Sequence, residues 1–239
     1  MYLMLSGEGP TDIGSTSAGS FKAGPLAWMA ERWIERRLDY SLLDSGQVGY
    51  ISKQKLESTA KKMKPLTKRG KKTPPETRYF YKNARALAVM ATQRIRDEGD
   101  TDLIAVLFRD SDNRAGSERG LWQDKHQSML DGFRDGGLAT GVPMLAKPIS
   151  EAWLLCALKN QYQGCAALEY VSASPQSPHS LKKQLQKVLG ENTGSDALSD
   201  KVKNNEIDIS RIDMPSMNAF KNRMDQVLDS LGLPGGQRR

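Results

Sequence analysis

The sequence has little of what staples or metallates small proteins: two cysteines, Cys156 and Cys165, and two histidines, His126 and His179. Two cysteines cannot carry a disulfide scaffold, and both are expected to be inert buried thiols in a reducing compartment. The histidines are not spaced as ligand pairs, which argues against a zinc site. Long apolar runs are missing as well. The longest, LIAVLF at 103–108 and AWLLCAL at 152–158, fall far short of the ~20 residues that span a bilayer. No charged-then-apolar leader opens the chain, so the expected location is the cytoplasm.

What is present is a chain of 239 residues, enough for one substantial α/β domain or for such a domain with a helical annex. The net charge is +7, from 35 basic and 28 acidic residues, which attracts polyanions without by itself identifying one. Its distribution says more. Residues 53–72, KQKLESTAKKMKPLTKRGKK, hold nine Lys or Arg against the single acid Glu57.

Met1 to Leu5 reads as a buried strand. GEGPTDIGSTSAGSFKAG then reads as a long loop leading to a helix near Pro25–Leu38, with Pro25 in the first turn. QVGYIS (47–52) alternates as a strand, and the basic segment after it is expected to be an exposed loop or arm. Helical spacing of Phe80, Ala84, Leu87, Ala88, Ala91 and Ile95 predicts a helix over 77–98, ended by Gly99. DLIAVLF supplies a strand covered on both faces, followed by a helix from about 118 to 135. GVPMLAKPI is a further strand with pairing limited by Pro143 and Pro148, and SEAWLLCALKNQ opens a helix with Ser150 as N-cap. Trp28, Trp33, Trp122 and Trp153, with Phe80 and Phe108, lie in these runs and are expected in the core.

Strand and helix alternate over the first 160 residues, so the expected fold is α/β, a mostly parallel sheet with helices on both faces plus a helical C-terminal part. The expected division is 1–160 for the sheet domain, with 53–76 a basic insertion or loop, then 161–232 for the helical region and 233–239 for a flexible tail.

In such sheets, sites form where strands end and the chain turns, and the acids fall there. Glu8 lies just past the first strand, Asp12 in the following turn, Asp110 and Asp112 at the end of LIAVLF, and Glu151 at the start of a helix. Residues two apart at a strand end project to one side, so Asp110 and Asp112 can hold one cation together. Hard oxygen ligands select Mg²⁺ or Mn²⁺. A glycine turn at Glu8 would let metal and phosphate approach the backbone.

GEGPTD after the first strand, DSDN after a later apolar strand, and EAW in a third segment together resemble the Toprim domain, in particular the small proteins related to OLD-type nucleases that accompany an ATPase in phage defence. The resemblance covers about 160 residues. It implies a Toprim-like sheet with a two-metal Mg²⁺ or Mn²⁺ site for phosphodiester hydrolysis, in which Glu8, Asp12, Asp110, Asp112 and Glu151 match the metal-binding or acid-base positions. It also implies a basic residue on the phosphate, for which Lys182 and Lys183 are candidates by position. Arg109 departs from the pattern, standing where such strands are usually apolar. So does Asn113, which follows the acidic pair where a third acid is often found.

Each motif has an ordinary alternative. Glu8 and Asp12 can be turn residues capping backbone, Asp110 and Asp112 solvated acids of a turn, and Glu151 an acid favoured by a helix dipole. Arg109, Arg114 and Arg119 can be paired or solvated beside the acids as readily as they can contact phosphate.

The leading expectation is therefore a metal-dependent nuclease acting on DNA or RNA, a defence effector working with an ATPase partner or as a homodimer. The alternative is a nucleic-acid-binding or regulatory subunit with a degenerate Toprim site. A strand-passing or nucleotidyl-transfer enzyme is disfavoured for want of an attacking-tyrosine domain. For nucleic-acid contact the candidates are Lys61, Lys62, Lys64, Lys68, Arg69, Lys71 and Lys72, whose attraction would offset the repulsion between a carboxylate site and a polyanion.

Overall fold

In a computed structural model, the described residues are 1–17, 19–64, 75–99, 102–111, 121–190 and 194–233. Four strands, β1 (Tyr2–Ser6), β4 (Val48–Ile51), β5 (Leu103–Asp110) and β6 (Gly141–Ala146), form a parallel sheet in the order β4-β1-β5-β6. The order places β1 and β5 at the centre, which is why their sequences are nearly continuous apolar runs. Alternate residues face alternate layers. Leu3, Leu5, Ile104, Val106 and Phe108 enter one core, and Met4, Leu103, Ala105 and Leu107 the other. β6 carries Pro143 opposite Leu107 and stands at the edge, where a missing N–H is tolerated.

Helices cover both faces, as alternation along the chain predicts. The first core is closed by α1 (Pro25–Glu35), α5 (Glu151–Leu158), α6 (Leu181–Leu189), α7 (Ser195–Lys203) and α8 (Pro215–Ser230). The second is closed by α2 (Lys53–Lys62), α3 (Pro75–Glu98) and α4 (Leu121–Asp135). Among the described residues no helix is long and apolar enough to cross a membrane.

Several local expectations change. Residues 53–62, read as an exposed loop or arm, form α2. Ser52 caps it by accepting the Lys55 N–H, and Leu56 and Ala60, one turn apart, are buried. The rest of the basic run, 65–74, lies outside the described residues. The glycine- and serine-rich loop contains an antiparallel hairpin, β2 (Gly14–Ser17) with β3 (Ser20–Ala23). Ser150 stands at the N-cap position of α5, but its side chain makes no cap bond.

Cys156 and Cys165 are not free thiols: they are joined in a disulfide, with Cα atoms 5.1 Å apart. After α5 the chain reverses through left-handed residues at Gln161, Tyr162 and Gly164, and a 3₁₀ turn (Cys165–Tyr170) returns Cys165 to the helix. Trp153 and Phe108 are fully buried and Trp33, Trp122 and Phe80 nearly so. Trp28 is only half-buried, with Lys203 Nζ 4.6 Å from its ring centre.

Candidate carboxylate site

Because the strands are parallel, β1, β4 and β5 all deliver their carboxyl ends to one edge. After β1 the chain turns through Gly7, Glu8 and Gly9, and Asp12 and Ile13 donate their N–H groups to Gly9 O at 3.3 Å. A Cβ on Gly7 would stand 2.7 Å from Ile13 Cβ, and one on Gly24 would stand 2.5 Å from Asp12 O. The glycine at position 7 is thus demanded by packing of the buried Ile13. The Asp12 backbone is pinned from the other side, where its carbonyl accepts the Leu26 N–H at 3.0 Å.

At the end of β5, Asp110 accepts the Ser150 N–H at 2.9 Å, which ties that strand end to the start of α5 and sets Glu151 beside it. Ser111 donates its N–H to Ala146 O and Pro148 O, and its carbonyl accepts the buried Lys125 Nζ at 2.5 Å. The turn is rigidly held up to that point. Asp112, Arg114 and Arg119 lie outside the described residues.

Glu8, Asp12, Asp110 and Glu151 are close enough to act on one another electrostatically. Burial raises Asp12 to about 6, helped by Glu151 and Glu8 and opposed by Lys182. Burial likewise pushes Asp110 well above the usual carboxylate range, with Glu151, Glu8 and Asp12 adding to it and the Ser150 N–H opposing. Glu151 Oε1 lies 3.7 Å from Lys182 Nζ, while its Oε2 is buried without a hydrogen-bond partner. Of the two candidate lysines only Lys182 meets the acids. Lys183 Nζ instead donates to Ser177 O at 3.3 Å.

Arg109, a departure in the sequence, takes a definite place. Its side chain is 0% exposed, with Nε 4.0 Å from Glu8 Oε1 and one N–H donated to Phe108 O at 2.7 Å. Nε and Nη2 have no hydrogen-bond partner. The guanidinium also lies 5.7 Å from the ring centre of Tyr79, whose hydroxyl donates to Glu57 Oε1 at 3.1 Å. Burial raises Tyr79 to about 12, and Arg109 opposes the shift. Glu57 is the single acid of the basic segment, so α2 is moored at the same edge as the carboxylates. Lys61, Lys62 and Lys64, at the far end of the helix, are exposed, whereas Lys68, Arg69, Lys71 and Lys72 lie outside the described residues.

The donor chemistry suits an oxygen-seeking divalent cation: hard carboxylates from separate chain segments, protonation favoured by burial and then by mutual repulsion, and an orphaned buried Oε2 on Glu151. Among the described residues, however, no three His, Cys, Asp or Glu side chains are grouped as a ready-made metal cage.

Three features escaped the sequence reading. Arg109 was visible as a charge inside an apolar strand, but not its pairing with Glu8. Lys125 gave no signal, because a lysine on an amphipathic helix is ordinarily solvated. The third is a cleft of about 270 Å³ beside Asp12 and Glu151, walled in part by α6 and α7, which depends on how distant segments meet. Comparison with known proteins finds no matching family model, curated protein or solved structure.

Proposed function

We propose that the protein is a divalent-cation-dependent nuclease of Toprim-like architecture, cutting phosphodiester bonds in DNA or RNA. The observation that carries this reading is the convergence of Glu8, Asp12, Asp110 and Glu151, from different chain segments, at the carboxyl edge of a parallel sheet with Lys182 alongside. Glu8 and Asp110 would hold the cation, with Asp12, Glu151 and the Asp112 of the sequence motif completing the set. A Mg²⁺ or Mn²⁺ ion bound there supplies an acidified water and charge neutralisation at the phosphate. Lys182 offers a cation to a phosphate oxygen, and Arg109 stands beside Glu8 as its counter-charge. A cytoplasmic setting, an ATPase partner or a second copy of the chain, and a role in phage defence belong to the same reading. In that setting the Cys156–Cys165 bond is the feature a reducing compartment would open.

The test is cleavage of labelled duplex, single-stranded and transfer RNA substrates with and without Mg²⁺ or Mn²⁺. Asp110→Asn and Glu8→Gln are each expected to abolish metal-dependent cutting with the fold intact, and wild-type rates in both would overturn the assignment. A second reading, a nucleic-acid-binding or regulatory subunit with a degenerate site, is favoured by one observation: the described acids do not close into a cage. Full nucleic-acid binding with no cleavage under any divalent cation would select it.

A further inference from the structure

The cleft beside the carboxylates is not accounted for by hydrolysis alone. Its mouth carries Asp12, Glu151 and Lys182, and its inner wall includes Leu154 and Leu185, both nearly fully buried in the first core. Gln186 sits at its rim, exposed, with its side-chain amide in no hydrogen bond among the described residues. A site that acted only on a phosphate would have no use for an apolar recess within one side chain of its acids. A polynucleotide does, because each phosphate is followed by a flat base with apolar faces and polar edges.

We propose that this cleft is a subsite for one nucleobase of a single-stranded polynucleotide, seated when the adjoining phosphate lies against Lys182. The inference rests on the reading of the carboxylate edge as a nucleic-acid site, and it narrows the substrate from nucleic acid in general to single strands, loops or frayed ends. Size and access support the choice. About 270 Å³ is below the ~300–1,000 Å³ of pockets that take drug-sized ligands, so it admits a single ring system and excludes a base pair. In a duplex the base is stacked and paired, and inserting it would first require unstacking, at a few kcal/mol.

The wall itself points the same way. α6 contributes Lys182, Leu185, Gln186 and Leu189 to the cleft, spaced as one face of the helix, and the helix holds no acid. That one face thus offers an apolar wall to a base and a cation to the adjoining phosphate, the combination that single-strand grooves use. The amide of Gln186, with donor and acceptor side by side, can read a base edge.

The experiment measures binding of the full chain, by fluorescence anisotropy in Mg²⁺, to a labelled single strand, to the same strand in duplex, and to strands with one abasic residue placed at each position in turn. DNA and RNA versions run in parallel, so that the sugar preference is read from the same data. The single strand is expected to bind about tenfold more tightly than the duplex, and one abasic position to weaken it about tenfold. In Gln186→Trp, whose ring fills the mouth, intact and abasic strands should bind alike, while Gln186→Ala should reduce discrimination among bases without removing the abasic effect. Equal binding of single strand and duplex, with no sensitive abasic position, would overturn the subsite even if cation-dependent cleavage persists. Failure to bind any nucleic acid at low salt would instead sink the reading on which it rests.

Discussion

Arg109 and Lys182 face the same group of carboxylates from two elements, β5 and α6, and they could hardly differ more in solvation. The Arg109 side chain is 0% exposed and stands 4.0 Å from a Glu8 that is itself 25% exposed. Lys182 is 61% exposed and stands 3.7 Å from Glu151. A buried guanidinium with one backbone hydrogen bond and two unpartnered nitrogens is costly to desolvate, and a Coulomb contact with a partly hydrated acid repays only part of that. An exposed lysine costs little and contributes little to stability, but it is free to swing onto an incoming phosphate. The buried cation therefore fixes the site, and the exposed one is left to act on a ligand. Substitutions can break this contrast, and they are taken in order of their effect on turnover.

The largest effect belongs to Arg109→Met, which keeps the volume and removes the charge. Removing this one partner leaves Glu8 uncompensated beside Asp12, Asp110 and Glu151, so the variant should be less stable, by up to about 3–5 kcal/mol, a fall of several degrees in Tm. Its cleavage should fall by roughly 10²–10³ as Glu8 loses its fixed counter-charge. A lower Tm with undiminished turnover would mean that the pair is structural and that the contrast with Lys182 is misread.

Next comes pH. Asp12, raised to about 6, and Asp110, raised well above the usual carboxylate range, are both shifted above their unfolded values. Protonated acids therefore stabilise the cation-free fold fully below about pH 4, and that contribution is lost as pH rises through 6 and beyond. In EDTA the Tm should fall by a few degrees between pH 5 and 7.5, and saturating Mg²⁺ should restore it at the upper end. A flat profile in EDTA would show that the acids do not burden the fold.

Lys182 and Lys183 are adjacent in sequence but only the first faces the acids. Lys182→Ala should reduce cleavage about tenfold and leave thermal stability nearly unchanged. Lys183→Ala, which removes only a bond to Ser177 O, should stay within about twofold of wild type. Equal losses would indicate a general effect of the charge of α6 in place of a directed contact.

The same contrast explains what could be read from the sequence. The strands were legible because β1 and β5 are buried on both faces, and α3 because its apolar positions, Phe80 to Ile95, recur over about four turns. The acids were legible because a charge at the end of an apolar run has no packing reason to be there. α2 and α7 were not, since each shows only a pair of apolar side chains one turn apart, Leu56 with Ala60 and Leu198 with Val202, too few to make a period. In the hairpin of β2 and β3, GSTS has no apolar side chain and SFKA alternates over only four residues, too short to make a period. The disulfide depends on how the chain folds back after α5, and a separation of nine positions does not reveal that. Arg109 was noticed, but its pairing with Glu8 joins positions about a hundred residues apart, and only the strand order β1-β5 brings them together.

The smallest effect on turnover is expected from α2, the cationic region that touches no acid of the site. The helix starts at the carboxyl end of β4, the edge of the carboxylates, and its last turn stands about 13 Å further along the axis. Glu57 holds Tyr79, and Tyr79 lies over Arg109, which fixes the orientation of the helix. Lys61 and Lys62 in the last turn, and Lys64 just beyond it, are exposed, and Lys64 gives only its carbonyl, to Arg85. Exposed lysines on a moored helix are suited to phosphate contacts that carry no base code. If each neutralises one phosphate, replacing all three by Ser should reduce the slope of log affinity against log salt by roughly 3 at about 0.9 per contact. Binding should weaken alike for all sequences, and cleavage at saturating substrate should be unchanged. A second variant with Lys68, Arg69, Lys71 and Lys72 replaced apportions the slope along the segment. If neither variant alters the salt dependence, α2 is a solvated face, and the attraction that brings a polyanion to four carboxylates comes from α6 and Lys182 instead.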